Sequence, residues 1–150
     1  MYSLTEHTEL LSFQYKILHF IVISNEQLHR WGLVDSDVCV WCQEQIETLV
    51  HIFLECEVVK AFWRDLKQWI HSKIGILYHV TNKEIVIGIQ TSDLNVVNRI
   101  YMFAKWFTFI KKCNMQFLSL DPFIVYFSNI LSIENELAKT RNKMEEFTTA

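Results

Sequence analysis

Three glycines and one proline in 150 residues leave this chain almost no material for tight turns. Left-handed turn positions fall to glycine and fixed-φ positions to proline, and ordinary usage is about 7 % and 5 %. Sandwiches, propellers and barrels need such residues at every corner, so an all-β fold is excluded. What remains is a mainly α chain with few, economical turns and at most one short strand region. Hydrophobic residues make up 51 % of the sequence, enough to close one real core.

Periodicity places the helices. Leu10, Phe13, Ile17 and Phe20 recur at three- and four-residue intervals within a helix expected from Thr8 to Ile23. Ser24 and Gln27 have capping-box spacing and Gly32 follows, which fits a short helix over Asn25 to Trp31. Asp35 to Ile46 loses helical periodicity. Thr48 to Glu55 and Glu57 to Ile74 read as helices, the second with Val59, Phe62, Trp63, Leu66, Trp69 and Ile70 on one stripe, ended by Gly75. Glu84 to Gln90 alternates around Ile85, Ile87 and Ile89 and is the one strand-like run. Leu94 to Cys113 is apolar nearly all round, the mark of a helix buried against several neighbours. Asp121-Pro122 opens a last helix reaching about Glu146. Phe62, Trp63, Leu66, Trp69 and Ile70 are expected to pack on Phe13, Ile17 and Phe20. No internal repeat or low-complexity linker interrupts the chain.

Charge is unevenly divided. Residues 1–57 carry nine acids against Lys16 and Arg30, a net of −7, and the remainder carries +4. Leu94 to Leu120 contains no acid but holds Arg99, Lys105, Lys111 and Lys112. A second basic row, Lys60, Arg64, Lys67 and His71, shares the face of its helix opposite Trp63; such a row is usually a solvated face but is also an electrostatic footprint for phosphates. The longest stretch free of charged residues, Pro122 to Ile133, is short of the roughly 20 apolar residues of a spanning helix. The opening Met-Tyr-Ser-Leu-Thr-Glu lacks the basic-then-apolar pattern of a secretory signal. An intracellular location, cytoplasmic or nuclear, is therefore expected, with no membrane partner.

The non-helical stretch begins the constellation that carries chemistry: Cys39-Val-Trp-Cys42, then His51, then Cys56, a Cys-x2-Cys-x8-His-x4-Cys array. Two thiolates on one tight loop, a third thiolate and a neutral imidazole make the closed tetrahedral set of a structural zinc site. One structural Zn²⁺ per chain, held by Cys39, Cys42, His51 and Cys56, is expected, with the cysteines in a zinc knuckle loop. On a continuous α-helix His51 and Cys56 would point roughly 140° apart, so the helix should break at Cys56. Three of four cysteines within eighteen positions argue against plain core thiols. A disulfide pair would strand an odd cysteine. A redox role needs a βαβ setting that neither flank supplies, and a zinc deaminase needs His-x-Glu and Pro-Cys-x-x-Cys elements that are missing. Cys113 is expected in the core, and Trp41, inside the knuckle loop, is the aromatic best placed for exposure.

Taken with Phe13-Gln-Tyr-Lys-Ile-Leu-His19, Gly32-Leu33, Glu47-Thr-Leu-Val-His-Ile-Phe-Leu-Glu-Cys56 and Phe62-Trp63, this array resembles the zinc-binding domain that follows the reverse transcriptase of non-LTR, LINE-type retrotransposons. The resemblance implies a zinc-binding domain over residues 1–75 and a helical C-terminal tail, 76–150, packed on it. It implies the same four ligands. It also implies a non-catalytic accessory segment that helps bind RNA or DNA, weakly, during target-primed reverse transcription, beside the reverse transcriptase domain of a parent polyprotein. The five Asp residues include no adjacent pair of the kind polymerase chemistry uses. If nucleic acid binds, Lys60, Arg64, Lys67, Lys105, Lys111 and Lys112 are expected to supply the surface, with the acidic first 57 residues facing away. The competing reading is a protein-interaction or structural module, a domesticated or decayed fragment of such an element.

Overall fold

A computed structural model describes residues 2–75, 79–88 and 95–149. Helix accounts for 72 % of the structure and no sheet forms among the described residues, so the mainly α expectation holds. The helices are α1 (Tyr2–Leu18), α2 (Asn25–Arg30), a π-helical turn (His51–Glu55), α3 (Glu57–Ile74), α4 (Asn82–Ile87), α5 (Asn95–Cys113) and α6 (Leu120–Thr149).

The strand-like run is the clearest departure. Glu84 to Ile87 lies in α4, because Thr81 and Glu84 form a reciprocal capping box: the Glu84 N–H donates to Thr81 Oγ1 at 3.3 Å and the Thr81 N–H to Glu84 Oε2 at 3.0 Å. Two helix-starting donors are satisfied locally, which outweighs the β-branched alternation. Gly88, at φ 101°, ends the helix in a backbone region closed to other residues. Ile89 and Gln90, the rest of that run, lie outside the described residues.

Helix α5 is the axis of the packing. Its Val97, Ile100, Phe103, Ala104 and Phe107 are buried with α3 (Val59, Phe62, Trp63, Leu66, Ile70) and α6 (Phe123, Phe127, Ile130) in one cluster. Edge and stacked ring contacts tie it together, Phe62 against Phe107 and Phe123, and Trp63 against Tyr101. On its other side α5 presents Trp106 and Phe109 to Phe13 of α1, and Phe13, Ile17, Val22, Ile52 and Phe53 form a second cluster. The apolar stripe of α3 therefore clusters with α5, α6 and, from α1, Leu10, and not with Phe13 and Ile17, which pack on the π-helical turn. Phe20, expected inside, is 68 % exposed, because α1 ends at Leu18 and Phe20 adopts φ 55° in the turn that follows.

Candidate metal centre

The knuckle is built by backbone geometry. An antiparallel bridge joins Val38 and Ile46, and the Cys39 N–H donates to the Gln45 carbonyl at 2.9 Å. Between them the chain turns back, with the Gln43 N–H donating to the Cys39 carbonyl at 3.0 Å and Gln43 itself left-handed at φ 55°. The turn aims backbone N–H groups at sulfur: those of Trp41 and Cys42 at Cys39, and those of Glu44 and Gln45 at Cys42.

The other two ligands come from a helix that changes pitch. Thr48 Oγ1 accepts the His51 N–H at 3.0 Å and starts the turn. The Cys56 N–H then donates to the His51 carbonyl at 3.0 Å, an i→i+5 bond that overwinds nothing but widens the coil. Residues five apart are thereby brought over one another. Cys56 leaves the helix at φ −61°, ψ 132° and is fully buried, the break the ligand spacing called for.

The result is one compact donor set. Cys39 Sγ and Cys56 Sγ are 3.8 Å apart, Cys42 Sγ and His51 Nε2 are 3.4 Å apart, and all four ligand atoms lie within 4.8 Å of one another. A tetrahedral zinc with Zn–S bonds of about 2.3 Å has sulfur–sulfur edges of about 3.8 Å, so the set fits that ion. Cys39, His51 and Cys56 are buried and Cys42 is half-buried, and four protein donors are the set of a closed, structural zinc site.

Electrostatics point the same way. Burial pushes the Cys39 thiol up to about 12, against the pull of the Cys42 and Trp41 N–H groups. At Cys42 burial also pushes up, but the N–H groups of Glu44 and Gln45 and bonds from Cys39 and Cys56 outweigh it and the pKa falls. Crowded, partly buried thiols of this kind need a cation to ionise together. His51 Nδ1 is buried without a hydrogen-bond partner among the described residues. A neutral imidazole ligating through Nε2 carries its proton there, so ligation must offset that orphaned N–H.

Glu47 is the residue that sequence reasoning missed. It is fully buried: Oε1 accepts from the Asn25 N–H at 3.0 Å and lies 2.7 Å from Lys112 Nζ, and Oε2 accepts from the Val40 N–H at 3.4 Å. It joins α2, the knuckle and the end of α5 at one carboxylate. Its only sequence signal was its place before Thr48 in the Glu-Thr run.

That bond corrects the expected basic surface. Lys112 is buried against Glu47, and Lys105 is buried with Nζ on Gln14 Oε1 and the Val86 carbonyl, so neither reaches phosphate. Burial brings the Lys105 ammonium down to about 8. Of the six basic residues, Lys60 and Arg64 are exposed, and Lys67 and Lys111 are half-exposed. Lys60 pairs with Glu57, Lys67 lies against His79, and Lys111 donates to Gln116 Oε1 while sitting over the Phe107 ring. Cys113, expected in the core, is exposed at the end of α5 and stands outside the donor set. Trp41 is half-buried, its Nε1 donating to the Gln116 carbonyl at 2.9 Å.

No helix among the described residues is long and apolar enough to cross a membrane. No curated protein and no solved structure matches the chain. Residues 7–63, which contain all four donor residues, match the family described as zinc-binding in reverse transcriptase, and the Cys3His donor set inside that segment supports one structural zinc.

Proposed function

We propose that this chain is the structural-zinc accessory module of a non-LTR, LINE-type retroelement reverse transcriptase, non-catalytic and intracellular, which assists RNA or DNA binding beside the polymerase during target-primed reverse transcription. The observation that carries this reading is the closed Cys39, Cys42, His51, Cys56 donor set inside the family-matched segment. In this reading residues 1–75 are the zinc-binding unit and 76–150 a tail packed on it. Lys60, Arg64, Lys67 and Lys111 are the basic residues left to meet phosphate, with Lys105 and Lys112 withdrawn into the fold.

Four cations support weak, sequence-tolerant contact that falls steeply with salt. Titration of the zinc-loaded chain with RNA and with primer–template duplex at low salt is the test. Binding that weakens on charge reversal at Arg64 and Lys67, with zinc content unchanged, supports the reading; no binding at low salt removes it. A second reading, a protein-interaction module, rests on a separate observation: Leu11, Tyr15, Phe20, Ile21, Trp31 and Leu33 are all exposed within the acidic first 57 residues. Exposed apolar side chains concentrated in one region mark docking surfaces.

A further inference from the structure

The turn that joins α5 to α6 is not held by burying its side chains. Cys113, Asn114, Met115, Gln116 and Phe117 are all exposed, Met115 by 79 % and Phe117 by 75 %. Hydrogen bonds set its course. The Asn114, Met115 and Gln116 N–H groups donate back to the Ile110, Lys112 and Lys111 carbonyls at 3.0, 3.1 and 2.9 Å, and Met115 takes a left-handed conformation, φ 52°. A residue with a side chain is strained in that region and stays there only where its surroundings hold it.

The knuckle supplies that hold. Trp41 donates its Nε1–H to the Gln116 carbonyl at 2.9 Å. Lys112, in the last turn of α5, lies 2.7 Å from Glu47 Oε1, and the other oxygen of Glu47 accepts the Val40 N–H at 3.4 Å. Val40 and Trp41 are the two residues between Cys39 and Cys42, so both links run from the short stretch of backbone that zinc clamps at each end. Lys112 and Gln116, at the far side of the links, lie outside the family-matched segment 7–63.

We propose that zinc in the knuckle latches the α5–α6 turn through Trp41 and Glu47, so that metal loading orders a segment that contributes no donor atom. The latch rests on the zinc reading of the donor set and not on nucleic-acid binding. Gln43 to Ile46 are exposed, so the loop relies on coordination, and a loop freed of its ion withdraws both links together. The turn then opens while the packed core beside it stays closed, as weakly buried segments do. Lys111, one of the four cations proposed to meet phosphate, donates to Gln116 Oε1 at 3.1 Å within this turn, so its placement follows the metal too.

Amide hydrogen exchange of the full chain, read by mass spectrometry with and without a chelator, tests the latch. Elemental analysis comes first: a chain that holds no zinc removes the site reading and the latch together, whereas one zinc lets the latch fail by itself. On chelation, exchange over residues 110–118 should quicken about tenfold, while α3 around Phe62 and Leu66 keeps its protection. Trypsin gives a second readout, because cleavage after Lys112, buried in the loaded chain, should appear once zinc is removed. Trp41→Phe keeps a ring in the knuckle but no indole N–H, and should quicken exchange over residues 114–117 with one zinc still bound. Unchanged exchange over 110–118 on chelation, equal acceleration throughout α3, no cleavage after Lys112, or a Trp41→Phe chain as protected as the wild type overturns the proposal.

Discussion

The knuckle from Asp37 to Cys56 and the α3–α5–α6 core are neighbours held together by different physics. In the core, large rings pack edge to face: Phe62, Phe107 and Phe123 are almost wholly buried, and each such ring removes about 150–250 Å² from water. In the knuckle the side chains that converge are sulfurs, an imidazole and one carboxylate; its Ile46 and Val50 are exposed, and of its apolar residues Ile52 and Phe53, in the π-helical turn, are the ones buried in the second cluster. The core is stabilised by area, and the knuckle by coordination and backbone hydrogen bonds. The loop from Asp37 to Val50 has little apolar burial to fall back on when its ion is lost, whereas a region of the first kind degrades by increments.

Metal removal is the strongest way to break that contrast. Chelation, or Cys56→Ser, should unfold the knuckle, a loss of about 10 kcal/mol of apparent site energy, while most far-UV helicity remains; full loss of helicity on chelation would show that the core depends on the ion as well. Trp63→Ala should cost about 4 kcal/mol in denaturant melts with one zinc still bound by elemental analysis. Between the two regions stands the Glu47–Lys112 pair, and Lys112→Met should cost about 3 kcal/mol because it leaves a buried carboxylate uncompensated. Zinc affinity should fall with it, which a change in core stability alone would not produce.

Lys105 gives a pH-dependent test on the core side. Its folded pKa, about 8, lies below the unfolded value of about 10.4. Between those values the unfolded chain binds the extra proton, so stability conferred at this position rises as pH climbs from about 8 to about 10.4 and its deficit is fully present below about 8. Relative to Lys105→Met, the wild type should therefore gain about 2 kcal/mol across that window, read as the difference between two stability–pH curves. The smallest effect belongs to the knuckle turn: Gln43→Gly should raise the stability of the zinc-loaded protein by about 1 kcal/mol, by relieving a left-handed side-chain-bearing residue.

The knuckle was more legible in the sequence than the core. Ligand chemistry dictates spacing within eighteen residues, so Cys39, Cys42, His51 and Cys56 came together as read, and so did the break that turns Cys56 inward. The stripe of α3 was equally plain, but periodicity says which face is buried and not what covers it, and α1 and α6 were indistinguishable as partners for Phe62 and Trp63. Lys105 and Lys112 looked like surface because their partners, Gln14 with Val86 and Glu47, lie far away in sequence. At α4 two local signals competed, and the Thr81–Glu84 cap prevailed over alternation.

The abrupt stop of the helix at Cys56 has a cost that the downstream tryptophan meets. A helix end leaves carbonyl oxygens with no N–H above them, and here the Phe53 carbonyl is one that lies buried. The Trp63 indole N–H donates to the Phe53 carbonyl at 2.7 Å. One side chain of α3 thus acts as a dry lid on the terminus that presents the third sulfur, filling the space a water would otherwise need. Phenylalanine at this position would preserve much of the packing and leave the oxygen thirsty, so the Phe62-Trp63 pair serves the metal loop without touching any of its donor atoms.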